Sequence, residues 1–234
     1  MPARASRATM PKYDAVLFDL DGTLLNTLDD LTDAVNHTMR AFDCPTHSRD
    51  DVRRFVGNGI RRLIERALPN GASDPRMEDA LAAFTAYYTA HCNVKTAPYP
   101  GILDALNALH EAGVKLAIVS NKNDEAVKAL AELYFGGLAE AAVGASDVVP
   151  RKPAPEMPRK ALNELGADAE HALYVGDSDV DFDTARNADM DCMLVSWGFR
   201  DRELLESLHP TMLIDDAAEM PMAILCPDEE DDDR

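Results

Sequence analysis

Residues 15–23 read Ala15-Val16-Leu17-Phe18-Asp19-Leu20-Asp21-Gly22-Thr23. Four apolar residues run without a break and stop at an acid, and Asp21-Gly22-Thr23 then turns the chain. A short continuous apolar run bounded by turn residues is the pattern of a strand buried on both faces. Similar runs recur at 115–119, 141–144, 172–175 and 192–195, with a weaker one at 212–214. Between most of them the apolar residues repeat at helical spacing, over 102–111, 123–134, 155–165 and 179–188. Strands alternating with helices predict an α/β fold, a doubly wound, Rossmann-like parallel sheet covered by helices on both faces.

Residues 28–96 break the alternation. Leu31, Ala34, Val35, Thr38, Met39 and Phe42 repeat at helical spacing. So do Ile60, Leu63, Ile64 and Ala67, and then Leu81, Phe84, Tyr87 and Tyr88. No convincing strand interrupts them, which predicts an all-helical insert after the first strand. The chain would cross into it near 26–28 and back near 96–100, where Pro98, Pro100 and Gly101 punctuate the sequence. The expected organisation is a core from 13–27 and 97–226, a helical cap over 28–96, a disordered leader at 1–12 and an acidic tail at 227–234.

The chain has 234 residues, enough to bury a substantial core, with 23 basic and 42 acidic side chains and a formal charge of −19. Such a balance disfavours nucleic acid and anionic membranes, which need basic patches. It leaves room for an anionic substrate, because a metal ion and a few cations can invert the field locally. No apolar stretch approaches the length of a membrane span, and the leader lacks the apolar segment of a secretory signal. Cys44, Cys92, Cys192 and Cys226 are scattered without metal-ligand spacing, so reduced thiols and a cytoplasmic location are expected.

In open parallel sheets, ligands sit beyond the carboxyl ends of the strands. Here those ends carry Asp19 and Asp21, Ser120-Asn121-Lys122, Lys152 between Arg151 and Pro153, and Gly176-Asp177-Ser178-Asp179-Val180-Asp181. Two like charges 4 Å apart repel by about 4 kcal/mol at an effective dielectric near 20. Asp19, Asp21, Asp177 and Asp181 therefore need cations to stay ionised together. A hard divalent ion such as Mg2+, with Lys152 as a fixed second charge, meets that need and favours a phosphate ester. Asp19 and Asp21 stand two apart on extended chain and point to the same side. Asp19 is placed to attack phosphorus, and Asp21 to hold the proton of the leaving oxygen. Gly22 lets the chain turn close to the substrate.

The order Asp19-Leu20-Asp21-Gly22-Thr23, Ser120-Asn121, Lys152-Pro153 and Gly176-Asp177-Ser178-x-x-Asp181 resembles the haloacid dehalogenase superfamily. The resemblance covers roughly residues 13–224. It implies that Asp19 forms an aspartyl-phosphate and that Asp21 acts as general acid, then base, while giving its backbone carbonyl to Mg2+. It implies Ser120, Asn121 and Thr23 around the phosphoryl group, Lys152 neutralising it, and Asp177 and Asp181 on the metal. The helical insert resembles the small cap of this superfamily. Phe55-Val56-Gly57-Asn58-Gly59-Ile60-Arg61 and Val195-Ser196-Trp197-Gly198-Phe199-Arg200 are similar to segments of its phosphoglycolate phosphatases. Gly57, Asn58 and Gly59 would bring backbone N–H groups to a small carboxylate, which fits 2-phosphoglycolate. Asn26 and Asp189 depart from the usual acid and glycine; at 189 the backbone should still be left-handed, which Asp tolerates.

The expected function is therefore a Mg2+-dependent phosphatase for a small phosphate monoester, working as a monomer or homodimer. A pyrophosphatase, nucleotidase, sugar phosphatase or phosphomutase would share the same catalytic residues. A non-enzymatic phosphate-binding protein would not need them all. Asp179 and Asp183 read as helix N-terminal acids, Arg61 and Arg200 as surface residues, and Trp197 as packing.

Overall fold

The computed structural model describes residues 12–57 and 59–226. Most of the leader, Asn58 and the acidic tail lie outside the described residues. The chain opens with β1 (Ala15–Phe18) and β2 (Leu25–Asn26). Four helices follow: α1 (Leu28–Ala41), α2 (Arg49–Phe55), α3 (Ile60–Ala67) and α4 (Met77–His91). Then come β3 (Ala97–Pro98), α5 (Ile102–Glu111), β4 (Lys115–Asn123), α6 (Asp124–Phe135) and β5 (Ala141–Ala145). The remainder is α7 (Glu156–Leu165), β6 (Ala172–Gly176), α8 (Asp179–Asn187), β7 (Asp191–Val195), α9 (Arg202–Ser207), β8 (Met212–Ile214) and α10 (Met220–Leu225).

Six strands form one parallel sheet in the order β5-β4-β1-β6-β7-β8. β1 is central, between β4 and β6, and the strand order reverses there. That reversal opens a crevice beyond the carboxyl end of β1, the usual ligand position in such sheets. The alternation along β1 explains its burial. Val16 and Phe18 pack into one apolar layer with Ile118 and Val175, and Ala15 and Leu17 into the other with Ala117 and Tyr174. A strand covered on both faces has no polar side, hence the unbroken apolar run.

β4 runs past the predicted end at residue 119, as far as Asn123. Its pairing with β5 shifts between Ser120 and Asn123. The backbone stays extended with this irregularity across four polar residues, 120–123, which an apolar-run reading treats as loop. Asp189 sits just past α8 with φ 58, in the left-handed region that its sequence position demanded.

The four insert helices enclose a third apolar cluster that includes Leu31, Met39, Ile64, Phe84 and Tyr88. The chain enters and leaves this layer through the short antiparallel pair β2–β3. A buried acid in the first turn of α1 ties the return path: the Asp30 carboxylate accepts the backbone N–H groups of Val94, Lys95 and Thr96 at 2.9–3.0 Å and the Thr96 hydroxyl at 2.8 Å. Among the described residues no helix is long and apolar enough to cross a membrane.

Asp74 stitches the insert in another place. Its carboxylate accepts three N–H groups of Arg76 at 2.8–3.0 Å, and Arg76 also donates to the Phe42 carbonyl at 3.2 Å. The Arg76 hydrogen bonds hold the Asp74 carboxyl well below the usual carboxylate range. A depressed value stabilises the fold above the unfolded pKa, about 3.9, and that stabilisation is lost as pH falls towards the folded value. The melting-temperature gap between wild type and Asp74→Asn should thus be full at pH 6 and shrink below about pH 4. Thermal melts across that range test this, and a constant gap would contradict it.

Candidate active site

Asp19 stands immediately after β1, with its own N–H bonded to the Val175 carbonyl at 2.8 Å. It is 6% exposed. Lys152 reaches it from the loop before α7, with Nζ 2.6 Å from Asp19 Oδ1 and 2.7 Å from Asp181 Oδ1. Asp181 lies in the first turn of α8, where Ser178 caps the helix by accepting the Asp181 N–H. The Ser178 hydroxyl also donates to Asp181 Oδ2 at 2.6 Å, fixing that side chain. Asp177 accepts the Phe199 N–H at 2.6 Å and the Thr23 hydroxyl at 3.4 Å.

Carboxylate oxygens of Asp19, Asp177 and Asp181 all lie within 4.8 Å of one another. One lysine serves three buried acids. Burial, opposed by Lys152 but reinforced by Asp181 and Asp177, pushes the Asp19 carboxyl well above the usual range. Burial and then the Asp181 charge push Asp177 up to about 7. Lys152 would be driven down by burial alone, yet the Asp181 and Asp19 charges outweigh that and hold it well above its ordinary value. The cluster is short of positive charge, which is the condition for binding a cation.

Two glycines make this crowding possible. Gly22 has φ 96, and a Cβ there would lie 2.6 Å from Asp177 Oδ2. A Cβ on Gly198 would collide with Asp177 itself. The sequence reading assigned Gly22 to close approach of substrate; in the structure it makes room for Asp177.

Across the cavity stands Asp21. Ser120 Oγ donates to its Oδ2 at 3.4 Å, and Lys122 Nζ lies 3.1 Å from its Oδ1. That Oδ1 is buried and accepts no properly directed hydrogen bond among the described residues. The Asp21 side chain stays apart from the three-carboxylate cluster, and the family resemblance expects its backbone carbonyl on the metal.

The other expected site residues fall into two groups. Ser120, Asn121, Lys152, Gly57 and Gly59 all line a cavity of about 110 Å³ together with Asp19 and Asp21. Asn121 spends both ends of its amide on the Lys152 backbone, accepting from its N–H at 2.7 Å and donating to its carbonyl at 3.2 Å. Thr23 is fully buried and its hydroxyl serves Asp177, so it supports the cluster rather than facing the substrate. Asn58 lies outside the described residues. Arg61 pairs with Glu78 on the surface at 2.8 Å, as expected. Arg200 does not stay on the surface. It lines the cavity, bonds Asp179 at 2.8 Å and the Val56 carbonyl at 3.1 Å, and occupies the space that a side chain on Gly57 would need.

Three participants escaped the sequence reading. Phe199 gives its N–H to Asp177 while its ring packs in the insert's apolar cluster. Tyr88 projects from α4 and lines the same cavity. Lys122 is buried between Tyr88 and Asp21. The only cue to Lys122 was its place directly after Ser120-Asn121.

The haloacid dehalogenase-like hydrolase family matches residues 16–195 of this chain. The chain belongs to that family. It is therefore an enzyme of a hydrolase family. A phosphoglycolate phosphatase of Mesorhizobium japonicum is 37% identical over 205 residues, covering 85% of this chain and 89% of that protein. One of Rhodospirillum rubrum is 37% identical over 221 residues, covering 90% of each. A crystal structure from Lactobacillus delbrueckii subsp. bulgaricus superposes with a TM-score of 0.87 at 37% identity, covering 92% of this chain and all of that one. CbbY from Rhodobacter sphaeroides, solved in complex with phosphate, gives a TM-score of 0.71 at 28% identity, covering 89% of this chain and 96% of that one.

Proposed function

We propose that this hydrolase is a Mg2+-dependent phosphatase that converts 2-phosphoglycolate to glycolate and phosphate through an aspartyl-phosphate on Asp19. The observation that carries the chemistry is the pairing of two different carboxylates across one small cavity. Asp19 is locked by Lys152 beside two further acids, while Asp21 stands apart from them, paired with Lys122.

The donor set fits a hard divalent cation. Asp19, Asp177 and Asp181 offer only oxygen, and one lysine leaves their charge uncompensated. Those three side chains would hold the ion, with the Asp21 carbonyl that the family resemblance implies. The bound ion supplies charge neutralisation and electrophilic activation of the phosphoryl group.

In this reading an Asp19 carboxylate oxygen attacks phosphorus in line. The ester P–O bond breaks, its electron pair goes to the leaving oxygen, and the Asp21 carboxyl gives that oxygen a proton. Asp21 then takes a proton from an entering water whose oxygen bonds to phosphorus, the P–O bond to Asp19 breaks with its electron pair going to the carboxylate, and phosphate leaves. Lys152 and the Ser120 hydroxyl hold phosphoryl oxygens through both steps. The helical segment 28–96 acts as a cap on a core of 13–27 and 97–226, hinged at β2–β3, and its closure excludes water. The substrate assignment is supported by the phosphoglycolate phosphatases that share 37% identity and by a cavity of about 110 Å³, which suits a small ester.

Phosphate release from 2-phosphoglycolate, pyrophosphate, a nucleoside monophosphate and a hexose phosphate tests the whole reading. Turnover should favour 2-phosphoglycolate, fall about 10³-fold or more with chelator, and return with Mg2+. Metal-dependent preference for another ester would overturn the substrate and keep the mechanism. Turnover indifferent to chelator would overturn the metal.

A further inference from the structure

We propose that Lys122, set in place by Tyr88, reads the second anionic group of the substrate, the carboxylate beside the phosphoester. This rests on the substrate class proposed above.

The cavity is lined by three cationic side chains among the described residues, Lys122, Lys152 and Arg200. Two are already committed. Lys152 bridges Asp19 and Asp181, and Arg200 is held by Asp179 and the Val56 carbonyl. Lys122 differs. Its side chain is 9% exposed, and within ion-pair distance it meets Asp21 alone among the described residues. Its Nζ donates to the Tyr88 hydroxyl at 2.9 Å and lies 4.7 Å from the centre of that ring. Its Nζ also lies 3.1 Å from Asp21 Oδ1, so it has two polar partners. An ammonium has three donors, so Lys122 keeps capacity for an anion in the cavity.

The Gly57 and Gly59 backbone lines the same cavity, so Lys122 would supply the charge for a carboxylate that this loop also faces. Leu31, Val56, Ile60, Leu63 and Val180 make much of the remaining wall apolar. A buried cation in an apolar cavity gains most from an arriving anion. Lys122 sits on the bulged end of β4, two residues beyond Ser120, whereas Tyr88 comes from α4 of the insert. The cap thus contributes the hydroxyl that orients the lysine. Recognition of the acid and closure of the cap are joined through one hydrogen bond.

The test compares 2-phosphoglycolate with 2-hydroxyethyl phosphate, which replaces the carboxylate by a neutral hydroxymethyl group. Wild type should prefer the acid. In Lys122→Met the ratio of kcat/KM for the acid over the neutral ester should fall about tenfold to a hundredfold, mainly through KM for the acid. Tyr88→Phe keeps the ring and removes the hydroxyl, and should lower the same ratio in the same direction by a smaller factor. Equal losses on both esters would sink the proposal and leave Lys122 as a residue that only places Asp21. If melting shows that Lys122→Met does not fold, Lys122→Gln and Tyr88→Phe carry the comparison. A wild type that prefers the neutral ester overturns the substrate reading and this inference together. A wild type that prefers the acid, with the ratio unmoved in the variants, overturns this inference alone.

Discussion

Asp19→Asn should abolish phosphate release, by a factor of about 10⁴ or more in kcat, while the protein stays folded. The amide has the shape of the carboxylate but lacks its nucleophilic oxygen. Removing one acid also relieves a site in which a single lysine faces three buried carboxylates. The variant should therefore melt at or above the wild-type temperature in the absence of divalent cations. Phosphate release and a thermal melt on the same preparation check both halves. Near-normal turnover would refute the covalent mechanism. Lost turnover with a collapsed melting temperature would mean that Asp19 holds the fold rather than reacts.

Lys152→Met should damage stability and turnover at once. Lys152 is the cation bonded directly to the buried acids, at 2.6 Å from Asp19 and 2.7 Å from Asp181. Removing one partner of a buried pair costs about 3–5 kcal/mol, because the other partners stay buried without compensation. For a chain of this size that is a fall of about 10 °C in melting temperature. Turnover should drop about 10²–10³-fold, as expected when a preorganised charge at the phosphoryl group is lost. Added Mg2+ should recover part of the stability, since it supplies positive charge to the same cluster, but little of the turnover. The two readouts separate the roles. An unchanged melting temperature would contradict the electrostatic account of the cluster, and unchanged turnover would remove Lys152 from the chemistry.

Much of this protein is legible in its sequence. The unbroken apolar runs mark strands that helices cover on both sides, because such a strand needs apolar residues at every position. The acids and the lysine follow those runs, and a parallel sheet gathers all its strand ends on one edge. Asp19, Ser120, Lys152, Asp177 and Asp181 could thus be brought together without coordinates. The helical insert was visible for the opposite reason, since no apolar strand run interrupts the helical spacing from residue 28 to 96.

Tertiary structure decided the rest. The family resemblance expects Thr23 and Asn121 around the phosphoryl group, and only the structure shows that their polar atoms bond Asp177 and the Lys152 backbone. Phe199 meets Asp177 across 22 residues, and Lys122 meets Tyr88 across 34. Such partners depend on how the insert lies over the sheet and on the register shift in β4, neither of which leaves a periodic trace. Periodicity reports which face of an element is buried. It is silent on which polar atom on that face finds which partner, because that choice is made by distance and direction once the layers have packed.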